Sequence, residues 1–424
     1  KSRNKGIDNI EKEKMNMLTL DKIYHAAFVL KNVVRKTDLI HAPNIKEGSN
    51  IYLKTENLQV TGSFKVRGSY YKISQLTEEE KANGVIACSA GNHAQGVALA
   101  AATENIESLI CIPDLAPISK IEATRKYGAQ VELVNGVYDD AYNRACEIKE
   151  ERNMTFIHPF DDVDVIAGQG TIGLEILEQL DSVDAVVVPI GGGGLISGVA
   201  YAIKTLKPQC KIYGVQAEGA PCMYKSIESQ KKITLGSAST FADGIAVKKP
   251  GELTFDICCG YVDEIVTVTD DEIAAAILML MEKQKLVSEG AGAVSVAAVM
   301  FDKIKTQGRN TVCIVSGGNI DVNILSRVIT RGLVTSGRLS DLTLELIDKP
   351  GQLEGVAKTI SQKGGNVIAV HHDKAEPNMA INACLLKITM ETRNFEHIEE
   401  IKNSLTANGF RLAPSPSDYC IRTV

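Results

Sequence analysis

No C-x-x-C spacing occurs among the ten cysteines of this 424-residue chain, which lie scattered apart from the adjacent Cys258-Cys259. Neither a zinc site nor a disulfide framework is suggested, and a reduced, cytoplasmic compartment fits. No apolar run approaches the ~20 residues that a bilayer-spanning helix requires, so a membrane is not expected as a partner. The opening Lys1 to Lys14 is too polar for a secretory signal, and residues 1–17 read as a loose, charged lead-in. A surplus of positive charge is also missing: 46 basic and 52 acidic side chains give a net −6, which offers nucleic acid no electrostatic footing. What is present is a 44% hydrophobic composition with 35 glycines, enough for two or three domains with proper cores.

Ordered structure is expected from about Leu18, with a helix that carries Ile23, Ala26, Ala27, Leu30 and Val33 on one face. Strand and helix then alternate. Val85 to Cys88, Leu109 to Pro113 and Val131 to Val134 read as strands, and Ala94–Ala102, Ser119–Tyr127 and Ala141–Glu150 as the helices after them. That alternation predicts an α/β fold with a parallel sheet covered on both faces, in which ligands collect at the carboxyl ends of the strands.

Three stretches occupy such ends or lie beside them. Thr61-Gly62-Ser63-Phe64-Lys65-Val66-Arg67-Gly68 follows the extended run Ile51 to Thr55 and precedes helical spacing at Val66, Tyr70 and Ile73. Lys65 therefore falls in the first turn of a helix, where the dipole and apolar neighbours disfavour an ammonium. A neutral lysine is a nucleophile, of the kind that forms Schiff bases with carbonyl compounds or pyridoxal phosphate. Gly191-Gly192-Gly193-Gly194-Leu195 follows the buried strand Ala185 to Val188 and opens a helix over Ile196–Leu206. Four consecutive glycines, each costly in backbone entropy, are not expected from packing alone; they let backbone amides converge on an anion, a phosphate cup. The dinucleotide pattern G-x-G-x-x-G fails at Ile196 and Ser197, and the lysine of a G-x-x-x-x-G-K-[ST] loop is absent, so a single phosphomonoester is preferred to a nucleotide. Ser316-Gly317-Gly318-Asn319, after the strand Val312 to Val315, offers a hydroxyl that can bond a neutral ring nitrogen.

Together with Ser89-Ala90-Gly91-Asn92-His93-Ala94-Gln95-Gly96, these motifs resemble, in order, the signatures of the threonine/serine dehydratases, pyridoxal-phosphate enzymes of the two-lobed tryptophan-synthase-β-like fold. The resemblance spans about Leu18 to Arg338 and is greatest to threonine ammonia-lyases with a single regulatory domain. It implies that Lys65 binds pyridoxal 5'-phosphate as a Schiff base beside Phe64. Asn92 would bond the ring's 3′ oxygen, Gly191 to Leu195 the phosphate, and Ser316 would face the ring nitrogen. Ser63 with backbone donors from Ser89, Ala90, Gly91, Asn92 and His93 would take the carboxylate of an amino-acid substrate. Glu289 resembles a glutamate near the ring, with helix capping as the other reading. The implied reaction is β-elimination of water from L-threonine or L-serine, giving a 2-oxo acid and ammonia. The alternatives are a racemase of the same fold and a catalytically idle amino-acid-sensing assembly protein. In the racemase pattern a serine stands at the position of Ala90, an asparagine at that of Phe160, and metal-binding carboxylates at those of Gln216 and Cys222. No divalent metal is therefore expected. His93 and His158 read as hydrogen-bonded scaffold.

Beyond Arg338 the pattern becomes βαββαβ, a ferredoxin-like split unit: strands from Leu342, Asn366 and Ala380, helices from Leu353 and Phe395, and an extended end at Phe410 to Leu412. Asp348, Gly351 and Leu353, with Asn366 and Val367, resemble an ACT domain. The resemblance implies an amino-acid effector and a homo-oligomer, dimer or tetramer, and a purely structural dimerisation domain is the other reading. Residues 18–338 are thus expected as the catalytic domain and 339–424 as the regulatory one. His371-His372 resembles a metal pair, but strand neighbours face opposite sides, so the pair is expected to bind nothing.

Overall fold

A computed structural model of the chain describes residues 17–373 and 382–413. The lead-in expected over residues 1–17 therefore lies, except for Met17, outside the described residues. The chain divides after Asp321 into two compact units, so the helix Val322–Thr335 falls with the second, ahead of the boundary expected at 338/339.

Two sheets form the first unit. The larger has six strands in the order β1-β2-β10-β7-β8-β9: β1 (Leu39–His41), β2 (Asn50–Lys54), β7 (Ala185–Pro189), β8 (Lys211–Ala217), β9 (Glu264–Val268) and β10 (Asn310–Ile314). Every pairing in it is parallel except β1 with β2. The smaller is wholly parallel, in the order β5-β4-β3-β6: β3 (Val85–Cys88), β4 (Ser108–Pro113), β5 (Gln130–Val134) and β6 (Thr155–Phe156). β3 and β7 are buried at every position, as strands covered on both faces must be. The expected helices appear at Asn92–Thr103, Ile118–Lys126, Tyr138–Arg152 and Gly194–Leu206.

The helix Lys65–Ser74 is clamped between two others. A Cβ on Gly68 would lie 2.6 Å from the Val165 carbonyl of the helix Val163–Gln179, and one on Gly168 would lie 2.6 Å from the Arg67 carbonyl. In the helix Asn92–Thr103, a Cβ on Gly96 would lie 3.2 Å from the backbone of Lys65. Three glycines thus set how deeply the first turn is seated, and interiors packed this tightly resist displacement.

In the second unit an antiparallel sheet runs β12-β13-β11-β14, with β11 (Leu339–Ile347), β12 (Asn366–Asp373), β13 (Ala383–Glu391) and β14 (Arg411–Leu412). Alternation along β11 and β13 turns Leu342, Leu344, Leu346, Cys384, Leu386, Ile388 and Met390 into the core. There they meet Val356, Ile360, Ile401 and Leu405 of the helices Gln352–Gln362 and Phe395–Ala407. Residues 380–381 of the strand expected from Ala380 lie outside the described residues.

Candidate active site

Lys65 opens its helix, with its amide 3.2 Å from the Ser63 hydroxyl. Buried Ser63 bridges to Gly317, and the Phe64 amide donates to the Ser316 carbonyl at 3.1 Å, so the turn is bound to the chain segment after β10. Gly62 holds a φ of 73°, and a Cβ there would lie 2.4 Å from the Asn319 amide oxygen. This position calls for glycine on both counts. Half-buried Lys65 donates from Nζ to the Pro159 carbonyl at 2.8 Å and lies 5.3 Å from the Phe64 ring centroid. Burial lowers its pKa to about 8 despite the opposing charge of Glu289.

Pro159 connects this amine to the glycine run. The ring of the next residue, Phe160, would lie 2.4 Å from a Cβ on Gly192, and its backbone 2.9 Å from one on Gly194. Gly193 adopts a φ of 103°, and a Cβ on Gly191 would stand 3.2 Å from Ile245. Packing therefore accounts for each missing side chain, which corrects the expectation that it could not. The anion argument rests instead on the amides: those of Gly191, Gly192, Gly193, Gly194 and Leu195 find no acceptor among the described residues. Grouped, largely buried donors at a helix start suit an anion such as phosphate.

The turn after β3 is partly committed. The Ser89 amide donates to the Cys111 carbonyl at 3.3 Å, and the Gly91 amide donates to the Ser89 hydroxyl at 3.1 Å. Among the expected carboxylate donors, this leaves the amides of Ala90, Asn92 and His93 without an acceptor among the described residues. A Cβ on Gly91 would meet nothing within 4 Å, so the turn faces open space. His93 is scaffold: its Nε2 donates to the Ile157 carbonyl at 2.8 Å, and burial, then the nearby Lys65 charge, lowers its pKa to about 3. His158 Nδ1 accepts from the Asp161 amide at 2.7 Å, and burial lowers its pKa as well.

Glu289 precedes the helix Gly290–Met300, yet its side chain makes no capping bond. Instead it accepts from Asn92 Nδ2 at 2.7 Å, while Asn92 Oδ1 accepts from Asn319 Nδ2 at 2.8 Å. Burial, reinforced by the charge of Asp243, raises the Glu289 pKa to about 7. Asn319, which sequence reasoning left without a role, thus fixes the orientation of the Asn92 amide. Buried Ser316 donates weakly to the Ala291 carbonyl at 3.4 Å. At the two positions where the racemase pattern has metal-binding carboxylates, Gln216 Nε2 stands 3.6 Å from Cys222 Sγ, a neutral pair.

In the second unit, Asp348, Gly351 and Leu353 line a cavity of about 330 Å³ with His372 and Cys384. Asn366 and Val367 do not line it; Asn366 bonds Glu391 at 2.8 Å.

A lysine amine of lowered pKa, a turn of uncommitted amides and a buried hydroxyl at neighbouring strand ends define a site for carbonyl chemistry on a small, phosphate-bearing cofactor. Comparison with known proteins agrees. Residues 30–317 match the pyridoxal-phosphate dependent enzyme family, and the chain belongs to that family. It is 49% identical to an L-threonine ammonia-lyase of Thermotoga maritima over 93% of this chain and 99% of that protein. It is 45% identical to a catabolic L-threonine dehydratase of Escherichia coli K12 over 73% of this chain and 96% of that protein. Among solved structures, a threonine deaminase of Solanum lycopersicum matches with a TM-score of 0.69 and 40% identity, covering 74% of this chain and 90% of that one. Maize serine racemase matches with a TM-score of 0.70 and 34% identity, covering 75% and 98%.

Proposed function

We propose that this chain is an L-threonine ammonia-lyase that also accepts L-serine. The observation that carries the catalytic reading is Lys65: its amine rests on a carbonyl, not a carboxylate, one residue away from the ring that packs on the glycine turn. Pyridoxal phosphate, when bound, supplies an aldehyde that condenses with amines and a conjugated ring that accepts the electron pair released at the substrate's α-carbon. Gly191 to Leu195 would hold the phosphate through their amides, Asn92 and Phe64 would lie beside the ring, and Ser316 would offer its hydroxyl to the ring nitrogen. A serine there, unlike a carboxylate, does not keep that nitrogen protonated. Ser63 and the amides of Ala90, Asn92 and His93 orient the substrate carboxylate. Lys65, whose burial-lowered pKa of about 8 leaves half of the amines neutral at that pH, takes the Cα proton. Loss of the β-hydroxyl as water, then hydrolysis of the remaining enamine, gives 2-oxobutanoate and ammonia. Glu289 and Asn319 position Asn92 from either end of its amide.

Ala90 supports elimination over racemisation, since a methyl group cannot return a proton to the opposite face. Incubation with L-threonine tests this: 2-oxobutanoate and ammonia in equal amounts are expected, and D-allo-threonine, the product of inversion at Cα alone, with no oxo acid would favour the racemase reading.

Residues 18–338 form the catalytic domain in this reading, and residues 339–424 an ACT regulatory domain. Its βαββαβ order and the cavity at Asp348, Gly351 and Leu353 support an amino-acid effector there, with Asn366 and Val367 as a second, separate contact. Edge strand β12, with Ile368 and Val370 exposed, supports pairing of chains into a dimer or tetramer. Among the described residues no helix is long and apolar enough to cross a membrane.

A further inference from the structure

Strand alternation in the second unit carries the covered face of the sheet past its last core residue. Leu342, Leu344 and Leu346 lie on that face, and Asp348 keeps their parity, its amide still bonded to the Asn382 carbonyl at 2.9 Å. Cys384, 1% exposed, stands opposite Leu346. His372 stands opposite covered Leu386, whereas His371 stands opposite exposed Lys387. The histidine pair therefore splits, and only its second member joins the cavity. A carboxylate oxygen of Asp348, a ring nitrogen of His372 and Sγ of Cys384 lie within 4.8 Å of one another.

We propose that Asp348, His372 and Cys384 form a binding site for a divalent transition-metal ion of the zinc class. Tetrahedral zinc holds donors of these types about 3.4–3.8 Å apart. The donor atoms already lie within 4.8 Å, and Asp348 and His372 are exposed while Cys384 is set in the core, so closing on an ion falls to the two exposed side chains. A thiolate and an imidazole favour such an ion over magnesium or calcium, which take oxygen ligands. On binding, the Cys384 thiol proton leaves to solvent, and thiolate plus carboxylate balance the ion's double charge. Three protein ligands leave a fourth position open to the cavity, for water or for the amine of an effector. The ion would join the end of β11 to β12 and β13, so it stabilises the folded second unit by mass action. This site stands apart from the reaction proposed above, because none of its ligands belongs to the first unit.

The test uses the full chain loaded with pyridoxal phosphate, stripped of metal with a chelator, then titrated with Zn²⁺ and separately with Co²⁺. One equivalent bound per chain is expected, with a thiolate-to-cobalt absorption band and a Zn²⁺-dependent rise in unfolding temperature. His372→Ala, at an exposed position, and Cys384→Ser should each weaken binding at least about 100-fold. Cys259→Ser, at an exposed thiol elsewhere, should leave it unchanged. Absence of stoichiometric binding, or binding that survives His372→Ala, would overturn the proposal.

Discussion

Two cationic side chains leave the first turn of the helix Lys65–Ser74 and end in opposite electrostatic states. Arg67 is fully buried and bonded to Glu56 at 2.8 Å and to Glu175 at 2.6 Å. Burial works against its charge, but the two carboxylates outweigh burial and hold it protonated more firmly than usual. Lys54 joins the same cluster through Glu175 at 2.6 Å, and there burial wins and lowers the pKa. Lys65 has only a carbonyl, and its pKa drops to about 8. The balance of burial against carboxylate partners sets each state: two carboxylates outweigh burial at Arg67, burial outweighs the carboxylate at Lys54, and at Lys65, bonded to a carbonyl, burial again prevails. One turn of helix carries both: the arginine anchors the backbone from which the lysine reaches.

Four substitutions can break or sharpen that contrast. The largest effect is expected from Lys65→Ala, which should lower turnover of L-threonine by at least about 10³-fold and abolish the visible absorption of bound cofactor, with little change in unfolding temperature. Glu56→Gln should do the reverse. It leaves Arg67 half-paired, which costs about 3–5 kcal/mol by denaturant midpoint, while the folded fraction keeps most of its activity. Gly192→Ala pushes a methyl into the Phe160 ring; a stability loss of about 1–3 kcal/mol and weaker binding of pyridoxal phosphate in equilibrium titration are expected. Smallest is Glu289→Gln. The folded carboxyl, at about 7 against an ordinary 4.5, keeps a proton that the unfolded chain loses, so its contribution to stability falls as pH rises between those values and the penalty is complete above 7. In cofactor-free protein the substitution should flatten that slope in unfolding temperature against pH. An unaltered slope would mean that the carboxyl is not held protonated by its burial.

Local pattern made part of this legible. Lys65 in a first turn, strands ending in glycine-bearing turns and the βαββαβ order each follow from short-range periodicity, and each appears where spacing placed it. What depends on distant partners was not readable. Lys54, Glu56, Arg67 and Glu175 are spread over four elements, and nothing in their spacing shows that they meet. β10 lies between β2 and β7, a long-range pairing that no local signal encodes. Glu289 sits where a capping residue would, and only the approach of Asn92 from another strand end turns its side chain away from that role. The glycine run looks the same in sequence whether phosphate or Phe160 requires it, and the structure shows that packing requires it.

The claim on which the rest depends is that Lys65, not one of the carboxylate-paired lysines nearby, is the amine joined to the cofactor. Borohydride reduction of the protein loaded with pyridoxal phosphate, followed by peptide mass mapping, measures this directly. A pyridoxyl label on Lys65 alone, absent in Lys65→Ala, is the predicted result; a label on Lys54, on any other lysine, or on none would contradict it.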